Sequence, residues 1–360
     1  MASPLHTRLC ELLGVRLPVI QTGMGWVATP ELTAAVSEAG GFGFLAAATL
    51  RPEEVGPAIE RTRSLTERPF GVNFLMDAPG AETVVDALIE HGVRAAGYNR
   101  APRPDLISRL KGAGVLCIPT CGAVRHAVKA EKLGADAIVV QGAEGGGHTG
   151  SVPTTLLLSK TVDAVGVPVV AAGGFHDGRG LVAALAWGAA GVAMGTRFLL
   201  TRESPVPEQT LGRYLAAGVE DIVVTREVDG LPQRVVRNEL VERLEAAGSA
   251  TRLLLAFRHA LAFRRLSGAS LPELLRAAFA LRRNQRLSRA QMLMAAGAPV
   301  LARKAMIEGD PVRGYLPGGS VAGILEDRPS CAELLARIER EALATLAGLC
   351  AGGGGAGEAA

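Results

Sequence analysis

Eight short apolar runs alternate with longer amphipathic stretches between residue 18 and about residue 200. This rhythm constrains the fold more than any other feature of the chain. The runs are Pro18–Gln21, Phe42–Leu45, Phe70–Phe74, Val93–Ala96, Val115–Pro119, Ala137–Val140, Pro168–Ala172 and Gly191–Met194. Each is apolar at successive positions, as in a parallel strand covered on both faces. The intervening stretches read as helices, and several end in the glycine that a helix C-cap favours: Gly40, Gly92, Gly114, Gly134 and Gly188. Repeated βα units predict a parallel sheet, and eight of them favour closure into a (β/α)8 barrel. The rival is an open doubly wound sheet. It fits less well, because the turn after the first run, "TGMGW", lacks the G-x-G-x-x-G spacing.

The pattern changes after Thr201. Residues 221–236 read as a hairpin, "IVVTREV" and "PQRVV" flanking a turn at Asp229–Gly230. Residues 239–304 read as helical, with ten Arg and one Lys against the single acid Glu273 between Ala250 and Lys304. The expected organisation is a barrel from 1–211 and 321–350, with 212–320 as a hairpin plus Arg-rich helical insertion over the barrel mouth. A closing helix is expected over Cys331–Leu346, and 351–360 reads as a disordered Gly/Ala tail.

Composition narrows the partners. A net charge of +3 over 360 residues is too small to point to nucleic acid or a membrane surface, and an aromatic content of 4% speaks against stacking platforms for single strands. The five cysteines form no Cys-x-x-Cys pair, and none shares zinc spacing with a histidine, so no metal is expected. The start of the chain lacks a signal-peptide pattern, and the expectation is a cytoplasmic protein. A homo-oligomer is left open.

Barrel sites lie where strands end in βα loops, and unusual residues concentrate there. The first run leads into Gly23, Met24 and Gly25, with Trp26 beyond. The third ends at Asn73 and the fifth at Thr120. The sixth leads into Gln141, then Glu144 and the glycines up to Gly146 and Gly147, and stops at His148. The seventh is followed by Gly173 and Gly174, the eighth by Gly195 and Thr196. Glycine turns after the last two strands are where such barrels often hold a phosphate, so a phosphate-bearing cofactor is expected. Imidazole's ordinary pKa lies near neutrality, so His148 suits general acid or base work. Asn73 and Gln141 are amides able to hydrogen-bond the edge of a cofactor ring. Cys117 and Cys121 read as core. The arginines of the insertion either lie on a solvated helix face or grip a phosphorylated carrier such as coenzyme A.

In this order, "PVIQTGMGWVA", "PFGVNF", "ADAIVVQGAEGGGHTG", "VPVVAAGGFHDGRG" and "SVAGILEDRPSCAELL" resemble the nitronate monooxygenase (2-nitropropane dioxygenase-like) family of FMN-dependent barrels, which includes FMN-containing enoyl-acyl-carrier-protein reductases. The motifs "IQTGMGWVA", "EGGGHTG" and "VDGLPQRVVR" are most similar to a branch of flavin oxidoreductases in actinobacterial steroid C/D-ring breakdown. The resemblance implies FMN against Gly23, Met24 and Gly25, with polar contacts from Asn73, Thr120 and Gln141 and close approach at Gly146 and Gly147. It places the phosphate on Gly173, Gly174, Gly195 and Thr196, and makes His148 the active-site histidine. It also implies hydride exchange between NADH or NADPH and an activated C=C of a CoA thioester, in either direction. The alternatives are oxidation of nitronates with O2 and a non-catalytic flavin- or RNA-binding scaffold. The strand-one loop "QTGMGW" departs from the Pro-Met-Gly pattern of many monooxygenases, which counts against a nitronate substrate.

Overall fold

The computed structural model describes residues 3–99, 101–247 and 289–352. Eight parallel strands close into a barrel: β1 (Val19–Gln21), β2 (Phe42–Ala46), β3 (Gly71–Leu75), β4 (Ala95–Asn99), β5 (Leu116–Cys121), β6 (Ile138–Gln141), β8 (Val169–Ala172) and β9 (Gly191–Met194). Closure comes from β1 pairing with β9, Ile20 opposite Ala193. Every strand expected from the sequence is present, within a residue or two at each end, except that β4 runs on to Asn99, three residues past the expected end at Ala96. The closed sheet excludes the open doubly wound alternative.

Side chains pointing inward fill the barrel. Ile20, Phe42, Phe44, Ile118, Val139, Val170 and Ala193 form one buried cluster with Leu9 and Leu13 of α1 (Arg8–Leu13). Phe42 and Phe44 pack edge to face at 5.1 Å. Helix α1 therefore plugs the end of the barrel opposite the βα loops, and Thr7 fixes it there by donating to the Ala190 carbonyl at 2.6 Å. The outer faces of the strands bury against a ring of helices. In that ring α2 (Pro30–Glu38) runs so close to β2 that a Cβ on Gly43 would stand 2.3 Å from the Thr33 carbonyl oxygen. Backbone cannot yield as a side-chain tip can. Gly43→Ala is thus expected to destabilise the protein by about 1–3 kcal/mol through overpacking, seen as a lower midpoint in thermal denaturation.

All five expected C-cap glycines have positive φ, from 55° at Gly92 to 93° at Gly40 and Gly134. The closing helix runs Cys331–Gly352, so Ala351 and Gly352 belong to it and not to a tail. Residues 353–360 lie outside the described residues.

A small antiparallel sheet sits beside the barrel. It contains β10 (Ile222–Thr225), β11 (Gln233–Val236) and β12 (Leu316–Pro317). The hairpin expected from the sequence is present, but its strands are shorter and residues 226–232 connect them in place of a tight two-residue turn. The Gly230 N–H closes this connection on the Arg226 carbonyl at 2.9 Å, with Gly230 at φ 84°. Strand β11 also pairs with β7 (Gly147–His148), a two-residue strand inside the sixth βα loop. The small sheet is thereby stitched to the barrel rim at His148. Val235 of β11 and Val228 of the connection pack with Tyr315 and with Leu240 and Leu301 of neighbouring helices in one buried cluster, against which Trp26 of the first loop packs. Trp26 holds φ 67°, the only positive φ outside glycine among the described residues. Most of the Arg-rich stretch, residues 248–288, lies outside the described residues, as does the expectation built on it.

Candidate active site

A cavity of about 350 Å³ opens at the C-terminal ends of the barrel strands. Every site residue expected from the sequence lines it. Gly23, Met24 and Gly25 come from the first loop, Asn73 from β3, Thr120 from β5 and Gln141 from β6. Gly146, Gly147 and His148 come from the sixth loop, Gly173 and Gly174 from the seventh, and Gly195 and Thr196 from the eighth. Their gathering follows from topology, since a parallel barrel brings all its strand ends to one rim.

The glycines of this rim have reasons that the sequence did not disclose. A Cβ on Gly23 would sit 2.3 Å from that of Asn73, so the first loop lies directly on the Asn73 side chain. A Cβ on Gly145 would stand 2.5 Å from the Gln141 amide nitrogen, and one on Gly146 would stand 2.5 Å from the backbone nitrogen of Gly319. Those glycines admit other parts of the protein. Gly147 differs: with φ 66°, a Cβ there would meet nothing within 4 Å. Gly174 (φ 88°) meets only Glu144, at 3.7 Å. These two positions are where the cavity wall is bare backbone. Gly173 and Gly174 are consecutive residues of left-handed φ, a turn that can gather amide N–H groups around an anion.

Several polar side chains are already committed. Gln141 donates its amide N–H to the His148 carbonyl at 2.9 Å, tying the two ends of the sixth loop together. Thr196 accepts from the Gly319 N–H at 2.9 Å. Glu144 accepts from the Thr154 hydroxyl at 2.6 Å and the Thr154 N–H at 3.0 Å, where the helix Thr154–Val162 begins. Arg234 donates twice to the Ala143 carbonyl, at 2.9 and 3.1 Å, and burial lowers its pKa while Glu144 opposes that shift.

His148 is the titratable group best placed for chemistry. Its side chain is about half exposed, at 49%, while Asp229, 2.6 Å from Nε2, is only 5% exposed. Asp229 comes from the hairpin connection and is a residue that the sequence reading took for a turn. Asn99, Phe175 and Gly319 also line the cavity without having been foreseen. Asn99 had a usable signal, as a polar residue ending an apolar run. Cys117 and Cys121 are buried, and desolvation pushes their thiols up to about 12 and about 11, so neither is a ready nucleophile.

Fold and site together define a TIM-barrel enzyme whose active rim combines glycine turns with a histidine–carboxylate pair. The chain belongs to the nitronate monooxygenase family, whose model matches residues 6–96 and 83–341. It is 50% identical over 341 residues, 95% of this chain and 97% of the relative, to the (3aS,4S,5R,7aS)-5-hydroxy-7a-methyl-1-oxo-octahydro-1H-indene-4-carboxyl-CoA dehydrogenase of Rhodococcus jostii (strain RHA1). Identity is also 50%, over 345 residues, to the protein of the same name from Mycobacterium tuberculosis, with 95% and 97% of the two chains covered. Among solved structures, FabK from Thermotoga maritima superposes with a TM-score of 0.79 at 32% identity, covering 96% of this chain and 99% of that one.

Proposed function

We propose that this protein is an FMN-dependent oxidoreductase that exchanges a hydride between NAD(P)H and the α,β carbon pair of a CoA thioester. The acyl group we propose is a fused-ring carboxylate, like the one named for its relatives from Rhodococcus and Mycobacterium. The observation that carries the reading is His148, braced by a buried carboxylate, on the rim of a cavity whose wall is bare glycine backbone at Gly147 and Gly174. The residues fit a flavin mononucleotide. The volume falls within the range of small-ligand sites. The ring-side walls are the uncharged Asn73, Thr120 and Gln141. Among the described residues, the one carboxylate lining the cavity, that of Glu144, is hydrogen-bonded to Thr154, and Gly174 leaves room for a phosphate beside its backbone.

FMN supplies a two-electron relay, accepting hydride from one substrate and passing it to the other. The protein does the rest. In the dehydrogenating direction, His148 takes the proton α to the thioester carbonyl, which that carbonyl makes acidic, as the β-hydrogen departs as hydride. In the reducing direction, His148 returns that proton. A nitronate monooxygenase would use the same base on a carbon next to a nitro group, so the two readings differ in the electron-withdrawing group served.

The test is anaerobic. The FMN-loaded protein is mixed in turn with NADH, NADPH, the indene-carboxyl-CoA named for the relatives, and a simple alkyl nitronate, and the flavin band is followed. Bleaching by a nicotinamide and by the thioester is expected. Bleaching by the nitronate alone would transfer the protein to the monooxygenase reading. Failure to load FMN at all would leave only a scaffold.

A further inference from the structure

We infer that Asp229 is a positioning residue for His148: its carboxylate holds the ring proton on Nε2, so that Nδ1 is the atom that handles the substrate proton. The inference rests on the reading of His148 as the base and specifies how that base is set.

A neutral imidazole has one N–H and one lone pair, and its neighbours decide which nitrogen carries which. His148 Nε2 lies 2.6 Å from Asp229 Oδ2. An ionised carboxylate can only accept, so a contact this short requires the proton on Nε2. Asp229 is held in place from several sides. It is buried, its Oδ1 accepts the Leu231 N–H at 3.0 Å, and the turn around it is closed by Gly230 on Arg226. Gln233 lies at the same nitrogen, its amide nitrogen 3.5 Å from Nε2, and its Oε1 is buried with no partner among the described residues. Turning that amide by 180° exchanges its two ends and gives the Nε2 proton a second acceptor.

The other nitrogen is in the opposite situation. Among the described residues Nδ1 has no hydrogen-bond partner, and the side chain that carries it is half exposed at the cavity wall. The contact with Asp229 sets the orientation of the ring, and the backbone that carries it is fixed. His148 is paired with Gln233 in the small sheet, and its carbonyl is held by Gln141. Once Nδ1 has taken a proton, the imidazolium stands against a carboxylate that stabilises it. The pairing reaches across 81 residues of sequence, so the small sheet brings part of the acid–base machinery to the barrel rim.

The test reads the tautomer itself. Nitrogen-15 spectra of histidine-labelled, FMN-loaded protein, with the His148 signals assigned by their loss in His148→Gln, are expected to show Nε2 protonated and Nδ1 bare. In Asp229→Asn the amide N–H2 can donate to Nε2, which drives the proton to Nδ1. The spectrum is then expected to shift to the other tautomer. The rate of flavin bleaching by the indene-carboxyl-CoA is expected to fall about 10²–10⁴-fold, the scale of a lost general base, while KM stays within about threefold. Asp229→Glu restores a carboxylate and is expected to restore the Nε2 tautomer, which covers the case in which the asparagine variant does not hold flavin. A wild-type His148 protonated on Nδ1 would overturn the inference. So would an Asp229→Asn protein with unchanged tautomer and rate. Failure of the broader reading has a different signature: His148→Gln would turn over at the wild-type rate, whatever the tautomer of the native ring.

Discussion

His148→Ala is expected to lower turnover of the CoA thioester by about 10²–10⁴-fold, the contribution of a positioned general acid or base, with FMN still bound and the flavin band unchanged. Loss of turnover could also come from a damaged rim, and the structure says how to separate the two. The backbone of His148 pairs with Gln233 and its carbonyl accepts from Gln141, contacts that alanine keeps. What alanine removes is the ring facing Asp229, leaving a side chain that is 5% exposed with the Leu231 N–H as its remaining hydrogen bond among the described residues. An orphaned buried group of this kind costs about 1–3 kcal/mol, so a modest fall in the thermal midpoint accompanies the loss of activity. His148→Gln supplies a donor to Asp229 without a titratable base. It should recover most of the stability and none of the turnover. Recovery of both would remove His148 from the chemistry.

The barrel was legible because each strand is buried on both faces and therefore reads as an unbroken apolar run, a signal that needs no knowledge of neighbours. The helix ends were legible for a similarly local reason, since a left-handed cap favours glycine at a fixed place. The rim residues followed from the fold, because parallel strands point their ends the same way. What stayed hidden depends on contacts between distant segments. Asp229 followed by Gly230 between apolar neighbours has the appearance of a turn, and it is one. Nothing local reveals that the same carboxylate reaches a histidine in another loop. The two-residue strand at Gly147–His148 is too short to leave a pattern. The glycines of the sixth loop were visible, yet their purpose was only half seen. Gly145 and Gly146 make way for Gln141 and Gly319, and bare cavity wall begins at Gly147.

Gly174→Asp is expected to weaken FMN binding by about 100-fold or more, to the point where the protein purifies colourless. The prediction depends on separating three effects that a side chain at this position would have. Steric conflict with the protein is small, since the nearest atoms to a new Cβ belong to Glu144 at 3.7 and 3.9 Å. Backbone strain at φ 88° is real, but Asp and Asn tolerate positive φ better than other residues, and the cost is about 1–2 kcal/mol for either. Charge is what distinguishes them. A carboxylate about 5 Å from a phosphate group at an effective dielectric near 20 is repelled by about 3 kcal/mol per unit charge, which alone corresponds to roughly 100-fold in affinity. Gly174→Asn carries the same strain and nearly the same volume without that charge. Titration of the apoproteins with FMN should therefore show a modest loss for asparagine and a much larger one for aspartate. Raising the ionic strength should narrow the gap. Equal losses for the two variants would mean that the phosphate lies elsewhere on the rim and that Gly173 and Gly174 serve only to turn the chain.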